Sequence, residues 1–160
     1  MRRWIVLALF LVVVLGGGLA IGFATVPGAW YAALQKPAIT PPNWLFAPAW
    51  TILYVLIAIV GWRTFERDKM GTEMKLWVGQ LMLNFTWSPV FFRFQDPYRA
   101  LVLIVMMLIL IFWFLKLTWS RDRVTAWLFV PYVVWSSYAT LLNVLIWYMN
   151  RDPSPPPLFQ

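Results

Sequence analysis

Residues 4–26 read WIVLALFLVVVLGGGLAIGFATV and contain no charged side chain. The run exceeds the roughly 20 apolar residues that a helix needs to cross the hydrocarbon core of a bilayer, so it predicts a first membrane span. Because Arg2 and Arg3 precede an apolar core, a cleaved secretory signal peptide is the alternative. The length of the run favours a retained span. The spacing of Gly18 and Gly22 would let a neighbouring helix approach closely. The alternative is that the spacing has no such role, because glycine is common in membrane helices.

The rest of the chain is similarly apolar. Of its 160 residues 62% are hydrophobic and 12% charged, and the mean hydropathy is +0.71. A soluble domain of this size needs more charged residues than this on its surface. We therefore predict an integral membrane protein. The chain has no Cys and no His. This composition excludes disulfides, the usual zinc sites, and His as a catalytic group or haem ligand. We therefore expect no catalytic residue, metal or cofactor.

Five apolar runs are long enough to span a bilayer, and none alternates as the strands of a membrane barrel do. They predict an all-α integral membrane bundle of five transmembrane helices, at about 4–26, 44–62, 76–92, 98–119 and 124–149. Residues 1–150 then form one transmembrane domain. The proline-rich tail 151–160 is predicted to be disordered. No acidic residue lies in any of the runs, which argues against ion-coupled transport.

The basic residues predict the orientation of the chain. Its net charge of +7 comes from residues between the apolar runs, which argues against a nucleic-acid partner. Nine of them lie on the side of the N-terminus and four on the opposite side. By the positive-inside rule we expect a cytoplasmic N-terminus and an external C-terminus. The nine are Arg2, Arg3, Arg63, Arg67, Lys69, Lys75, Lys116, Arg121 and Arg123, and the four are Lys36, Arg93, Arg99 and Arg151.

Polar and aromatic residues form stripes on three of the predicted helices. An amide that faces lipid is costly, so Asn84 and Asn143 should point into the bundle. They could simply form interhelical hydrogen bonds, worth about 0.6 kcal/mol each. The helical spacing groups Gln80, Asn84, Trp87 and Phe91 on the third helix, Trp50 and Tyr54 on the second, and Trp135, Tyr138, Ala139, Leu142 and Asn143 on the fifth.

Twelve tryptophans are far more than a chain of this length usually holds. Most lie near the ends of the runs, as expected for the aromatic belts at the membrane interfaces. Trp87 and Trp135 lie deeper and share stripes with polar groups. An uncharged aromatic cavity of this kind suits a flat hydrophobic ligand.

The order and spacing of these residues resemble the TspO/MBR family, which comprises bacterial tryptophan-rich sensory proteins and the mitochondrial translocator protein. The resemblance covers nearly all of residues 30–150. It rests on Trp30-Tyr31, Leu34-x-Lys36-Pro37, Pro41-Pro42-x-Trp44, Trp50, Leu53-Tyr54, Gln80-x-x-x-Asn84-x-x-Trp87-x-Pro89-x-Phe91-Phe92, Trp127-Leu128-x-x-Pro131-Tyr132-x-x-Trp135 and Ala139-Thr140-x-Leu142-Asn143-x-x-x-Trp147-x-x-Asn150.

The resemblance implies a five-helix bundle, usually a homodimer, with a ligand cavity beneath the first connector. For a bacterial member it implies a location in the inner membrane. Family members bind porphyrins such as protoporphyrin IX, sterols in the mitochondrial case, and benzodiazepine-like or isoquinoline carboxamide drugs. Some bacterial members are reported to promote light- and oxygen-dependent porphyrin breakdown. The implied pocket, extended by its neighbours on the stripes and in the connector, comprises Tyr31, Trp50, Tyr54, Asn84, Trp87, Phe91, Trp135, Ala139, Leu142 and Asn143. The implied lid comprises Trp30, Lys36, Pro37, Pro41 and Pro42, whose prolines stiffen the backbone. The alternative is that this connector is a simple rigid spacer.

Two positions depart from the family pattern. Ile39 stands where the family often has Trp in the lid. Val144 stands where the mitochondrial sterol motif has Tyr, which weakens the case for sterol binding. A loose sterol-type match from Val144 through Tyr148 to Arg151 is a weak pattern.

From these observations we predict a membrane receptor or sensor that binds porphyrin-type tetrapyrroles and regulates their metabolism. One alternative is a porphyrin or sterol transporter. The other is a light-dependent porphyrin-degrading protein in which Trp50 and Trp135 take part.

Overall fold

The computed structural model of the chain describes residues 2–151, and within that range it is all-α. The prediction of a disordered tail therefore falls, apart from Arg151, outside the described residues. The fold class predicted from the sequence is confirmed. The helices are α1 (Arg2–Ala24), α2 (Ala29–Ala33), α3 (Asn43–Arg67), α4 (Thr72–Ser88), α5 (Pro97–Arg121) and α6 (Arg123–Asn150), and a π-helical turn (Pro89–Arg93) continues α4.

The protein is a multi-pass helical membrane bundle. Helices α1, α3, α5 and α6 are each long and apolar enough to cross a membrane. Helix α4 has 17 residues and is less apolar, because it carries polar side chains on its inner face. With its π-helical turn, the segment 72–93 is about 33 Å long at 1.5 Å per residue, which exceeds the roughly 30 Å of the hydrocarbon core.

Two helices continue beyond the spans expected from hydropathy. Helix α3 runs on to Arg67 instead of ending near residue 62, and α4 begins at Thr72 instead of near 76. The extra turns carry charged residues, and Arg67 pairs there with Glu73 of α4. Hydropathy marks where the bilayer ends, but the backbone hydrogen bonds of a helix can continue into the polar interface.

Pro89 explains the change of helix type after α4. It has no N–H, so the carbonyl of Phe85 lacks its usual partner in the next turn. The chain widens into a π-helical turn, in which the Phe94 N–H donates to the Pro89 carbonyl over 3.0 Å. Such turns are frequent at functional sites. Phe91, within this turn, is buried.

The bundle has two polar ends. Helix α4 packs on α5, α5 on α6, α6 on α3 and α3 on α1. The N-terminus of α1 lies beside the C-terminal end of α3, as the contact between Arg3 and Glu66 shows. We call this end the arginine end. The connector 25–42, which we call the lid, crosses the opposite end, and Gln35 in it contacts Asn150 at the end of α6.

The two glycines predicted to allow close helix packing behave differently. A Cβ on Gly18 would lie 2.2 Å from the ring of Tyr54, so only glycine fits there. A Cβ on Gly22 would meet nothing within 4 Å. Only the first of the pair brings helices together within this chain, because Gly18 faces α3 and Gly22 is exposed.

Candidate functional site

A chain of hydrogen bonds, which we call the interior chain, links three helices inside the bundle. The Tyr54 hydroxyl donates to Asn84 Oδ1 over 3.1 Å. Asn84 Nδ2 donates to the Tyr132 hydroxyl over 3.0 Å, and that hydroxyl donates to Gln80 Oε1 over 2.8 Å. These hydrogen bonds thus fix the positions of α3, α4 and α6 relative to one another. The expectation that Asn84 points inward is confirmed, since it is only 5% exposed.

Aromatic rings form a wall beside this chain. The rings of Trp50 and Trp135 meet edge to face, with centroids 6.4 Å apart. Trp50 also packs on Tyr54, one helical turn along α3, at 5.3 Å. Phe46 meets Trp135 edge to face at 6.2 Å, and Tyr138 lies 5.9 Å from the same indole. The predicted residues Trp50, Tyr54 and Trp135 therefore lie together, although they come from two helices.

A second group of predicted residues lies nearer the lid. Trp87 Nε1 donates to Asn143 Oδ1 over 3.0 Å, and Asn143 Nδ2 donates to the Pro97 carbonyl over 2.9 Å. Trp87 stacks on Phe91 at 5.3 Å. Asn143 is only 1% exposed, so its predicted inward orientation is also confirmed. Trp87 packs against the apolar clusters of both groups and so connects them.

The lid packs on this second group through aromatic residues. Trp30 and Tyr31 lie edge to face against Phe91, at 5.9 and 6.2 Å. The Lys36 ammonium lies 4.7 Å from the centre of the Tyr31 ring and donates to the carbonyl of Leu34. Burial raises the pKa of the Tyr31 phenol, so this group is neutral at physiological pH.

Two further contacts hold the lid to α6. The Asn150 carboxamide makes two hydrogen bonds with the backbone of Gln35: its Oδ1 accepts from the N–H over 3.0 Å and its Nδ2 donates to the carbonyl over 2.9 Å. The Tyr138 hydroxyl donates to the carbonyl of Ile39. Both contacts use lid backbone, so they depend on its conformation more than on its side chains.

The remaining predicted residues lie around these contacts. Leu142 is buried in α6, and Ala139 packs against the main apolar core. The carbonyl of Pro37 accepts from Thr40 in a turn. Pro42 adjoins the start of α3, where its carbonyl accepts from Leu45, and Pro41 precedes it. The two consecutive prolines therefore set the direction in which the lid enters α3.

In this conformation the aromatic and polar side chains pack directly on one another. A flat ligand would have to separate the rings or enter beneath the lid. Two buried polar atoms have no partner among the described residues: Gln80 Nε2, in the interior chain, and Ser136 Oγ, one helical turn after Tyr132 on α6. Unpaired buried polar groups are costly, so they are available to a water or to a polar group of a ligand.

The functional groups of the site are suited to binding a ligand. Its functional groups are indole N–H, phenol and carboxamide, which donate or accept hydrogen bonds beside large apolar surfaces. Within residues 2–151, no three His, Cys, Asp or Glu side chains come together as metal ligands would. Such a lining matches the general pattern of small-molecule pockets, which are apolar with a few placed polar groups.

Sequence reasoning missed several residues of the site. Tyr132 is the central member of the interior chain, and Asn150 holds the lid. Tyr132 and Ser136 are one helical turn apart and continue the stripe through Ala139 and Asn143, so the spacing could have included them. The pairing of Asn150 with Gln35 leaves no signal in the local pattern.

Comparison with known proteins shows which family this chain resembles. The model of the TspO/MBR family matches residues 8–149. The tryptophan-rich protein TspO of Archaeoglobus fulgidus is 39% identical over 140 residues, covering 82% of this chain and 91% of the relative. Protein CrtK of Rhodobacter capsulatus is 35% identical, covering 85% and 88%. The human translocator protein is 30% identical, covering 76% and 75%.

Proposed function

Because this chain belongs to the TspO/MBR family, we propose that it is a membrane receptor that binds porphyrin-type tetrapyrroles and regulates their metabolism. Its relatives include proteins named as tryptophan-rich and sensory, which supports a receptor or sensor role. The choice of a porphyrin as ligand is the proposal. The homodimer expected from the resemblance stays a prediction.

The observation that carries the proposal is the contact between Trp50 and Trp135. Their rings meet at an interplanar angle of 85° and lie next to Tyr54 and its hydrogen-bonded chain. If the rings part slightly, one indole face becomes available for stacking on a macrocycle. The phenol and amide groups nearby can then pair with polar groups at its rim.

The lid gives this site a means of opening. Its contacts with the bundle are a few hydrogen bonds and ring contacts, chiefly those of Asn150, Tyr138 and Tyr31. Residues 25–42 contain one five-residue helix, and its prolines restrict the remaining backbone. A lid with few conformations to lose closes on a ligand at a lower entropic cost.

Titration of the purified protein with protoporphyrin IX tests the assignment. An aromatic pair contributes about 0.5–1.5 kcal/mol beyond burial. Trp50→Phe and Trp135→Phe should therefore each weaken binding about two- to tenfold and reduce ligand-induced tryptophan quenching. The same variants should reduce any light-dependent loss of the porphyrin, because phenylalanine is harder to oxidise than indole.

Trp62→Phe is the matched control, because Trp62 lies at the arginine end, away from the lid. It should leave porphyrin affinity unchanged. If it weakens binding as much as the other two, the tryptophans act through general stability of the bundle and the proposed site is wrong.

A further inference from the structure

A polar pocket lies at the arginine end, opposite the lid. It has a volume of about 240 Å³ and is bounded by α1, α3 and the turn between α5 and α6. That is several times the roughly 30 Å³ of a water molecule in the liquid. The side chains that line it are Arg3, Trp62, Arg63, Glu66, Arg67 and Asp122.

Ion pairs fix the walls of this pocket. Asp122 accepts from Arg63 over 3.0 Å and from Arg67 over 3.1 Å, and Glu66 accepts from Arg3 over 3.2 Å. Burial alone would raise the pKa of Asp122, but hydrogen bonds from Thr125 and Arg63 outweigh it and the pKa lies below its ordinary value. Both carboxylates are therefore already engaged by guanidinium groups.

Several donors remain unused. Trp62 Nε1 is buried and has no partner among residues 2–151. Within residues 2–151, Arg3 donates hydrogen bonds only through Nε, and Arg63 donates through Nε and Nη2. The two terminal nitrogens of Arg3 and one terminal nitrogen of Arg63 therefore remain as unused donors. A buried N–H without an acceptor is destabilising, so an acceptor in the pocket would satisfy it.

The unused donors and the position of the pocket indicate which acceptor fits. Three guanidinium groups and two carboxylates line it, and Glu73 pairs with Arg67 from outside the lining, so these ionic groups balance. Trp4 stacks on Trp62 at 6.2 Å and is itself 69% exposed on the outer surface of α1. Exposed tryptophans near helix ends lie at the level of the lipid headgroups. A phosphate group in that layer carries several acceptor oxygens, which the unused donors of Trp62, Arg3 and Arg63 lack.

We propose that this pocket binds a phosphate group with a single negative charge, that of an anionic phospholipid headgroup. The phosphate oxygens accept from Trp62 and from the free guanidinium nitrogens of Arg3 and Arg63. Basic pockets between transmembrane helices bind lipid headgroups in this way. The site is separate from the proposed porphyrin site, so it does not depend on that proposal.

Native mass spectrometry of the full chain in detergent, titrated with phosphatidylglycerol, tests the proposal. Arg3→Gln should lower the affinity about fivefold, as expected for the loss of one arginine near a headgroup. Arg2→Gln is the matched control, because it removes the same charge from the adjacent position on α1, outside the pocket lining. It should lower the affinity less than twofold. Equal losses in the two variants, or no loss in Arg3→Gln, would overturn the proposal.

A second variant, Trp62→Phe, tests the proposal even if Arg3→Gln fails to fold. Trp62→Phe removes the orphaned N–H donor and keeps an aromatic ring at the same position. It should lower lipid affinity about threefold while porphyrin affinity stays unchanged, and an unchanged lipid affinity counts against the site. Inorganic phosphate added without lipid distinguishes the source. If phosphate alone raises the thermal stability of the wild type but not that of Arg3→Gln, the pocket binds phosphate and does not require a lipid as its source. Binding of neither probe refutes it.

Discussion

Replacing Gly18 with Ala should disturb the candidate site, although Gly18 lies on α1 and this helix supplies none of the predicted side chains of the site. The added Cβ would lie 2.2 Å from Cε2 and 2.6 Å from Cδ2 of Tyr54. Carbon atoms pack at about 3.5–4.0 Å, so the ring must retreat by roughly 1.5 Å. Trp50 and Phe85 flank that ring, at 5.3 and 6.2 Å. The retreat therefore strains the aromatic wall or separates α1 from α3.

The expected loss of stability follows from two contributions. Overpacking of a filled site costs about 1–3 kcal/mol. The hydrogen bond from Tyr54 to Asn84 is 3.1 Å long, and a shift of this size would break it. Such a bond within a membrane contributes about 0.6 kcal/mol. We therefore expect Gly18→Ala to lower the free energy of unfolding by about 1.5–3.5 kcal/mol.

Gly22→Ala is the matched control. It makes the same substitution one turn later in α1, where the new Cβ meets nothing within 4 Å. The intrinsic preference of a helix for alanine applies equally to both variants and cancels in their comparison. Unfolding in mild detergent, followed with increasing denaturant, measures the difference in stability. Titration with protoporphyrin IX on the folded variants measures the effect on the site.

Two results would contradict this reasoning. Equal stability of the Gly18→Ala and Gly22→Ala variants would show that α1 does not pack on Tyr54 as described. A Gly18→Ala variant that loses stability but keeps the full porphyrin affinity would show that Tyr54 is not part of the ligand site.

Three further predictions concern the ends of the bundle. Asp122→Asn should lower the free energy of unfolding by on the order of 2 kcal/mol, because two guanidinium groups lose their shared acceptor. Because the pKa of Asp122 is lowered in the folded protein, its contribution is complete above the ordinary value of 3.8 and is lost as the pH falls below it; denaturation of wild type and variant across that range checks this, and a constant difference in acid would contradict it. Asn150→Ala should speed hydrogen exchange in the lid about fivefold, since the backbone of Gln35 loses both partners; unchanged exchange would show that this contact does not hold the lid. Reporter fusions at the two ends should place the N-terminus in the cytoplasm and the C-terminus outside, and the reverse result would refute the orientation predicted from the basic residues.

The short helix α2 and the turns by which α3 and α4 extend beyond the apolar runs were not predicted, but the membrane class and the all-α fold were, from the apolar runs and their spacing. These properties follow from short-range rules. A span must be about 20 residues long, and an amide cannot face lipid without a large cost. The same rules oriented Asn84 and Asn143 correctly, because burial of a polar group depends on which face of its own helix it occupies.

The partners of those groups required the tertiary structure. That Asn84 pairs with Tyr54 and Tyr132, or that Gly18 rather than Gly22 receives a neighbouring ring, depends on how far each helix is rotated and shifted against the next. Rotation and shift follow from many weak contacts summed over whole helix faces, and no single spacing along the chain records them. For the same reason the pocket at the arginine end was not predicted from the sequence: its residues come from α1, α3 and a turn, and only the packing of the bundle brings them together.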